Sequence, residues 1–169
     1  ARALERVMDG YGATRHYQHD LIAVDGAAQR AVFQTADGDR VERRFDMLHV
    51  CPPQRAPRVI RESALAGENG LVDVHRHSLR HPRFPNVFAL GDCTATPNAK
   101  TPAAVRQQFP AVVDGLLAAI GVASPGREYD GYGSCPLTVA RGRVMLAEFR
   151  YDGEVVSTLP LNPTVSRAI

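Results

Sequence analysis

Apolar and polar positions along the first third of the chain predict a helix followed by strands. Residues 1–11 predict a helix because its apolar positions share one face, and these are Leu4, Val7, Met8 and Tyr11. Gly10 or Gly12 can end this helix. Three further segments, about 14–24, 30–36 and 40–51, are separated by Asp25-Gly26 and Asp37-Gly38. Asp-Gly is a strong hairpin signal, so these segments predict an antiparallel meander.

The third predicted strand ends in MLHVC, residues 47–51, which is almost wholly apolar. Such a run is typical of a strand that is buried on both faces. His49 is therefore expected to be a core histidine, and Cys51 a packing residue at the end of the strand. Pro52-Pro53 ends the strand, and a loop rich in proline and arginine follows to about residue 62.

Two short strands are predicted next, with a group of histidines between them. Residues 70–74 and 86–90 are apolar enough for strands, and the sequence HRHSLRH lies between them. Its histidines, His75, His77 and His81, are interpreted as surface-loop residues. No further ligand stands at a spacing that would favour a zinc site.

One helix and one hairpin complete the predicted elements. Thr101 is expected to be the N-cap, with Pro102 at the first helical position. This helix is expected to run to about Ile120, with a bend at Pro110 and a C-cap at Gly121. Beyond it, the segments 137–149 and 154–160 predict a hairpin around Asp152-Gly153.

The composition is that of an ordinary globular protein, with 169 residues, 44% of them apolar and 22% charged. A net charge of +2 is too small to predict binding to nucleic acid. No apolar run approaches the roughly 20 residues of a membrane-spanning helix. The cysteines, Cys51, Cys93 and Cys135, are odd in number and widely spaced, which excludes a disulfide scaffold and a paired zinc site. The chain begins at Ala1 inside a predicted helix, as expected for a piece of a longer protein.

The segment VFALGDC, residues 87–93, ends an apolar run in a glycine and a carboxylate. Gly91 lets the backbone approach a ligand, and Asp92 offers its carboxylate to hydroxyl groups. Lys100 and the start of the helix at Pro102 add positive charge. A polyol, a phosphate or a flavin would suit this set, since a flavin has ribityl hydroxyls and an edge that becomes anionic on reduction. The residues alone leave open that Asp92 caps a turn and that Lys100 is a solvated loop residue.

Several further segments are informative in their order along the chain: MLHVCPP, GLVDV, HPRFPNVFALGDC, the Lys100-Thr101 pair, YDGYGSCPL and RVMLAEF. Together they resemble the sulfide:quinone oxidoreductases, most of all the branch that includes the mitochondrial enzyme. These flavoproteins belong to the pyridine nucleotide-disulfide oxidoreductase superfamily. The resemblance implies an α/β fold: part of a two-dinucleotide-binding (FAD/NAD(P)-binding) flavoprotein with an antiparallel β-meander.

The resemblance also implies three domain parts. Residues 1–62 would be the end of the NAD-like domain with the meander. Residues 63–124 would be the returning part of the FAD-binding domain. Residues 125–169 would begin the C-terminal domain and carry the redox cysteine.

Residue roles follow from the resemblance as well. Gly91, Asp92, Lys100 and Thr101 match positions that bind FAD, and Cys135 matches the second redox-active cysteine. Cys135 would carry sulfane sulfur as a persulfide, chemistry that suits a thiolate. Cys93 is expected to pack, Gln107 and Gln108 are assigned to the quinone side, and no metal is implied.

The implied function is that of a C-terminal fragment of a membrane-associated oxidoreductase. The intact flavoprotein would oxidise sulfide to sulfane sulfur and pass two electrons through FAD to quinone, whereas the fragment alone is expected to be inactive. A GxGxxG loop for the ADP half of FAD does not occur in these residues, so FAD is expected to bind weakly or not at all. The partner cysteine is expected before Ala1, and membrane-facing helices after Ile169.

The expected partners are sulfide, quinone, a sulfane-sulfur acceptor and a membrane surface reached through other segments, without nucleic acid. Homo-oligomerisation stays open. The intact enzyme is expected to be a peripheral membrane protein, and this fragment to be soluble.

Three alternatives remain at this point. A type II NADH:quinone dehydrogenase shares the Gly-Asp pair but gives no reason for Cys135. A flavocytochrome c sulfide dehydrogenase subunit would pass its electrons to haem. A non-catalytic binding or interaction module is the alternative from another class.

Overall fold

The meander predicted around the two Asp-Gly pairs is present. The computed structural model describes residues 2–124, 126–160, 162 and 165–168. Its first unit, residues 1–53, contains helix α1 (Arg2–Gly10) and strands β1 (His19–Asp25), β2 (Arg30–Thr35) and β3 (Arg40–Arg44). These strands pair antiparallel in chain order. The predictions of the helix and of the meander are confirmed, although β1 and β3 are shorter than expected.

The apolar run at residues 47–51 is not a strand, contrary to the prediction. Met47 is 87% exposed and Val50 is 44% exposed. His49 and Cys51 are exposed too, with Nε2 of the histidine 3.4 Å from Sγ of the cysteine, so neither is a core residue. A strand needs neighbours for its backbone hydrogen bonds, and no described strand pairs with this run.

The second unit, residues 54–169, combines one long helix with a small antiparallel sheet. Its elements are α2 (Arg58–Arg61), α3 (Pro102–Ala119), β4 (Gly133–Ala140), β5 (Arg143–Phe149) and β6 (Arg167–Ala168). The sheet has the order β4-β5-β6. The division of the chain at residues 62 and 124 stays a prediction.

Helix α3 begins and ends where its local signals predict. Thr101 Oγ1 accepts a hydrogen bond from the backbone N–H of Ala104 at 3.2 Å, and Pro102 is the first helical residue. Gly121 has a positive φ of 75°, and its N–H donates to the Ala118 carbonyl at 3.0 Å. A glycine in this conformation commonly ends a helix. The N-cap and the C-terminal stop are therefore confirmed.

The predicted strands at 70–74 and 86–90 are absent. Single bridges join Val72 to neighbouring segments and Phe88 to Arg80. Turns and loops satisfy the backbone groups there, so no continuous ladder forms. The side chains nevertheless build the core of this unit, whose buried members are Val72, Val74, Leu79, Ala104, Ala111, Val112, Tyr129 and Tyr151.

The last hairpin turns at a different place from the one predicted. Strands β4 and β5 are joined at Arg141-Gly142, so the predicted strand 137–149 is divided between them. At Asp152-Gly153 the chain also turns, but among the residues that the structure describes only one bridge follows, between Phe149 and Val155. An Asp-Gly pair favours a turn without ensuring that strands continue on both sides of it.

Candidate functional site

The Gly-Asp pair lies in a tight turn that one buried side chain supports. Gly91 begins the 3₁₀ turn with a φ of 74°, a conformation that favours glycine. Its N–H donates to Gln108 Oε1 at 2.7 Å, and Gln108 is 1% exposed. Gln108 is thus a support beneath Gly91 and lines no open quinone surface, contrary to the assignment from the resemblance, whereas Gln107 is exposed.

The Asp92 carboxylate is open to a ligand. The side chain is exposed, and within the described part of the chain no residue donates a hydrogen bond to it. A carboxylate oxygen accepts hydrogen bonds only. This group can therefore receive the hydroxyl groups of a bound molecule.

Lys100 is held in place by backbone oxygen atoms and is not a solvated loop residue. Its Nζ donates to the carbonyl oxygens of Thr94 and Thr96, each at 2.8 Å. Burial lowers the pKa of Lys100 below its ordinary value, and the nearby Asp92 carboxylate opposes this shift without reversing it. The lysine thus presents its charge from a fixed position beside the Gly-Asp turn.

Asp92, Cys93 and Lys100 line one cleft of about 470 Å³. Its other walls are Leu71 and residues 54–57. This volume lies in the range of roughly 300–1,000 Å³ that is common for ligand and cofactor sites. A carboxylate, an ammonium group and apolar walls together suit a ligand with hydroxyl groups and an anionic edge.

Strand β4 begins beside the segment that carries Lys100. A Cβ atom at Gly133 would lie 3.7 Å from Thr101 Oγ1 and 3.6 Å from the Ala99 carbonyl oxygen. Thr101 itself caps α3. The start of β4 and the N-terminus of α3 are therefore neighbours.

Cys135 stands exposed on β4, opposite Ala147 of β5. Exposure separates it from an inert core cysteine. Cys93 differs, because it is half-buried and packs against the core, with its Sγ 3.3 Å from the Leu90 carbonyl oxygen. The packing expected for Cys93 is present, although this residue also lines the cleft.

The histidines of HRHSLRH have separate structural roles. His81 is 1% exposed, so its interpretation as a surface residue is wrong. Its Nδ1 accepts hydrogen bonds from the N–H groups of Arg83 and Phe84, at 3.0 and 3.2 Å. Nδ1 of His77 donates to a backbone carbonyl at 2.9 Å. Among the described residues no group of three His, Cys, Asp or Glu side chains could hold a metal ion.

Two buried polar residues that contact Tyr132, just before β4, were not predicted from the sequence. Tyr129 and Glu148 are each 1% exposed. Glu148 Oε1 accepts from the Tyr132 hydroxyl at 2.6 Å and also from the Thr158 hydroxyl. A carboxylate within the apolar segment RVMLAEF is a signal that could have indicated such a network.

The fold defines a class of protein: the chain is a mixed α/β chain with part of a flavoprotein fold. The structure of the sulfide:quinone oxidoreductase from Aquifex aeolicus matches 92% of this chain and 39% of that chain, with a TM-score of 0.70 and 15% identity. A chain in the mitochondrial ATP synthase of Tetrahymena thermophila matches 89% of this chain and 36% of its own length, with a TM-score of 0.75 and 25% identity.

Curated relatives define the similarity more narrowly. The mitochondrial sulfide:quinone oxidoreductase of Mus musculus is 38% identical over 169 residues, which is 99% of this chain. The enzyme of Dictyostelium discoideum is 36% identical over 96% of the chain, and that of Schizosaccharomyces pombe is 40% identical over 82%. No protein-family model matches. By sequence and by fold, the chain is similar to the sulfide:quinone oxidoreductases, as the resemblance predicted.

The chain spans 38%, 36% and 30% of the lengths of these three relatives. In the described part of the chain, no helix has both the length and the apolar character needed to cross a membrane.

Proposed function

We propose that the intact protein containing this chain oxidises sulfide to sulfane sulfur and passes two electrons through FAD to a quinone. The observation that carries the proposal is that the cleft and the strand with Cys135 lie close together. The cleft with Asp92 and Lys100 adjoins the segment against which strand β4 begins, and β4 carries the exposed Cys135. The similarity to three curated sulfide:quinone oxidoreductases supports it.

The donors and acceptors of the cleft fit FAD. When bound, FAD would supply a two-electron carrier with ribityl hydroxyls and an edge that becomes anionic on reduction. Asp92 would accept hydrogen bonds from hydroxyl groups, and Lys100 would hold a positive charge for the anionic edge. Gly91 leaves room for close approach of the backbone. Thr101 stands at the N-terminus of α3, where free N–H groups favour negative charge.

Cys135 would carry the sulfur. Sulfide attacks a disulfide between Cys135 and a second cysteine, which the resemblance places outside this chain. The S–S bond breaks, Cys135 keeps the added sulfur as a persulfide, and the second cysteine leaves as a thiolate with the bonding electron pair. An acceptor thiolate or sulfite-like nucleophile then takes the outer sulfur and releases the Cys135 thiolate. Forming the disulfide again would release two electrons, and FAD, when bound, would supply the two-electron carrier between the cysteine pair and quinone.

Quinones are apolar and are carried in membranes. We therefore assign the intact protein to a membrane surface, as a peripheral protein. The quinone in the names of the curated relatives supports this assignment.

Three serine variants of the intact protein test the proposal. In Cys135→Ser the hydroxyl stays protonated at neutral pH and cannot form a persulfide. Sulfide-driven quinone reduction is therefore expected to fall by orders of magnitude, while bound FAD stays at the native level. Cys51→Ser, at a residue that does not line the cleft, is the matched control and should keep most of the activity. Cys93→Ser should keep most of it too, because the Cys93 side chain packs against the core. Near-native activity in Cys135→Ser would rule out the assigned role.

A non-catalytic module in a larger assembly is a second candidate. It is favoured by the match to a chain in the Tetrahymena thermophila ATP synthase, at a TM-score of 0.75. The flavin content of the intact purified protein separates the two candidates. A flavin-free protein that sulfide cannot reduce would support the module.

A further inference from the structure

Two fully buried polar side chains stand between the Gly91 turn and the strand that carries Cys135. Gln108 and Tyr129 are each 1% exposed. Gln108 receives the N–H of Gly91 at 2.7 Å. The Tyr129 hydroxyl donates to the Tyr132 carbonyl oxygen at 2.6 Å, just before β4. Neither side chain has a part in the chemistry above.

The Tyr129 hydroxyl is shared between the cleft loop and the approach to β4. Asn98 Nδ2 donates to this hydroxyl at 2.8 Å and to the Ala99 carbonyl oxygen at 3.0 Å. Asn98 belongs to the loop that carries Lys100. One oxygen atom therefore accepts from the cleft loop and donates to the backbone that leads into the cysteine strand.

The ring of Tyr129 is fixed by its surroundings. It packs edge-on against Tyr151, with ring centroids 5.6 Å apart. The backbone N–H of Tyr129 donates to the His77 carbonyl oxygen at 2.9 Å. Burial raises the pKa of the Tyr129 hydroxyl, so the group stays protonated and remains a donor at neutral pH.

The Tyr129 hydroxyl contributes through its hydrogen bonds more than through the space that it fills. Phenylalanine would fill the same space, but it would leave the Tyr132 carbonyl without the Tyr129 donor and the Asn98 amide with the Ala99 carbonyl alone. We propose that Tyr129 is a positioning residue, whose hydroxyl fixes the start of β4, and with it Cys135, relative to the loop that carries Lys100. The part of this proposal that concerns turnover rests on the proposed function.

Tyr129→Phe in the intact protein tests the proposal, with Tyr151→Phe as the matched control. Tyr151 is also buried, at 6% exposure, and its hydroxyl donates to the Arg76 carbonyl oxygen, away from the cleft loop. Hydrogen exchange is followed in peptides that cover 89–100 and 129–137. We expect Tyr129→Phe to speed exchange in both segments, and Tyr151→Phe to leave 89–100 unchanged.

The kinetic readout uses kcat for sulfide-driven quinone reduction. A small displacement of a reacting group lowers the rate strongly, so Tyr129→Phe should lower kcat by about tenfold. Bound FAD should stay at the native level, and Tyr151→Phe should keep kcat within about twofold of native at a similar loss of thermal stability. Asn98→Ala removes only the loop end of the link and should give a smaller change in the same direction, even if Tyr129→Phe does not fold.

Two outcomes overturn the proposal. The first is unchanged hydrogen exchange in both segments of Tyr129→Phe, or of Asn98→Ala if Tyr129→Phe does not fold. The second is an equal effect of Tyr129→Phe and Tyr151→Phe on exchange and on kcat. The exchange measurement does not depend on sulfide chemistry. An intact native protein without sulfide activity, but with faster exchange in both segments of Tyr129→Phe, would contradict the proposed function and leave the positioning role standing.

Discussion

At the scale of single residues, the candidate site sets a free carboxylate beside a fixed ammonium group. Asp92 is exposed and lacks a donor among the described residues, whereas Lys100 is held by two backbone carbonyls. The lysine is thus positioned before any ligand arrives, and the aspartate keeps its accepting capacity for the ligand. Preorganised charge of this kind needs little rearrangement on binding.

Asp92→Ala in the intact protein is expected to lower FAD occupancy before it affects folding. Each hydrogen bond from a ribityl hydroxyl to this carboxylate, once bound FAD covers it, would contribute about 1.5–3 kcal/mol. Flavin absorbance per protein and the thermal midpoint give the two readouts. Glu68→Ala, at an exposed carboxylate of the same unit, serves as the control. Full flavin content and full turnover in Asp92→Ala would reduce the carboxylate to a turn residue.

At the scale of secondary-structure elements, strand β5 is tied to the chain that follows it by a buried carboxylate. Glu148 accepts from the hydroxyls of Tyr132 and Thr158, and from the Thr158 N–H at 3.1 Å. Burial raises the pKa of Glu148, but the hydrogen bonds from Thr158 and Tyr132 outweigh it, so the pKa is lowered overall. The ionised form is therefore the one that stabilises this arrangement.

This network predicts a loss of stability in acid. The folded-state pKa of Glu148 lies below the unfolded value of 4.5. Its contribution is therefore complete above that value and is lost as the pH falls through the folded pKa. Glu148→Gln should lower the thermal midpoint at pH 7 and should flatten its fall below pH 4.5. Glu154→Gln, in an exposed ion pair with Arg150 at 3.8 Å, should change the midpoint little. Equal midpoints for Glu148→Gln and the native protein at pH 7 would contradict this account.

Local signals predicted some elements well and failed for others. Thr101, Pro102 and Gly121 predicted the ends of α3 because caps depend on neighbouring residues in the sequence. The run at 47–51 was predicted as a strand and is not one, because a strand depends on neighbours that local sequence does not specify.

The candidate site was predictable only in part. Gly91 and Asp92 follow an apolar run, which is a local pattern. Gln108 and Tyr129 meet their partners across the fold, and a buried polar side chain has no sequence period of its own. Cys135 was indicated by the similarity to known flavoproteins. No physical pattern in the sequence indicates it.

At the scale of the whole molecule, the candidate site residues all belong to the second unit, residues 54–169. They are Gly91, Asp92, Lys100, Thr101 and Cys135. The first unit contributes a separate meander. Chemistry at these residues can therefore be examined through changes within the second unit.

The purified chain of 169 residues is expected to be colourless and to bind added FAD weakly. The GxGxxG pattern that holds the ADP half of such cofactors is absent from its sequence. Absorbance in the visible range and a titration with FAD, with free riboflavin as a comparison for the half without ADP, measure this. Flavin absorbance that corresponds to one FAD per chain would show that these residues suffice to bind the cofactor.

Pro136 gives the cysteine strand a property that concerns contacts between molecules. Within the described sheet, β4 has a neighbour on one side only, and Pro136 directly follows Cys135 in it. Proline has no N–H, and in an outer strand it is tolerated where that donor would face away from the sheet. The free edge is therefore poorly suited to adding a strand from another molecule, which disfavours edge-to-edge aggregation. The Cys135 thiol therefore stays accessible to small solutes, at an edge that disfavours pairing with a strand of another molecule.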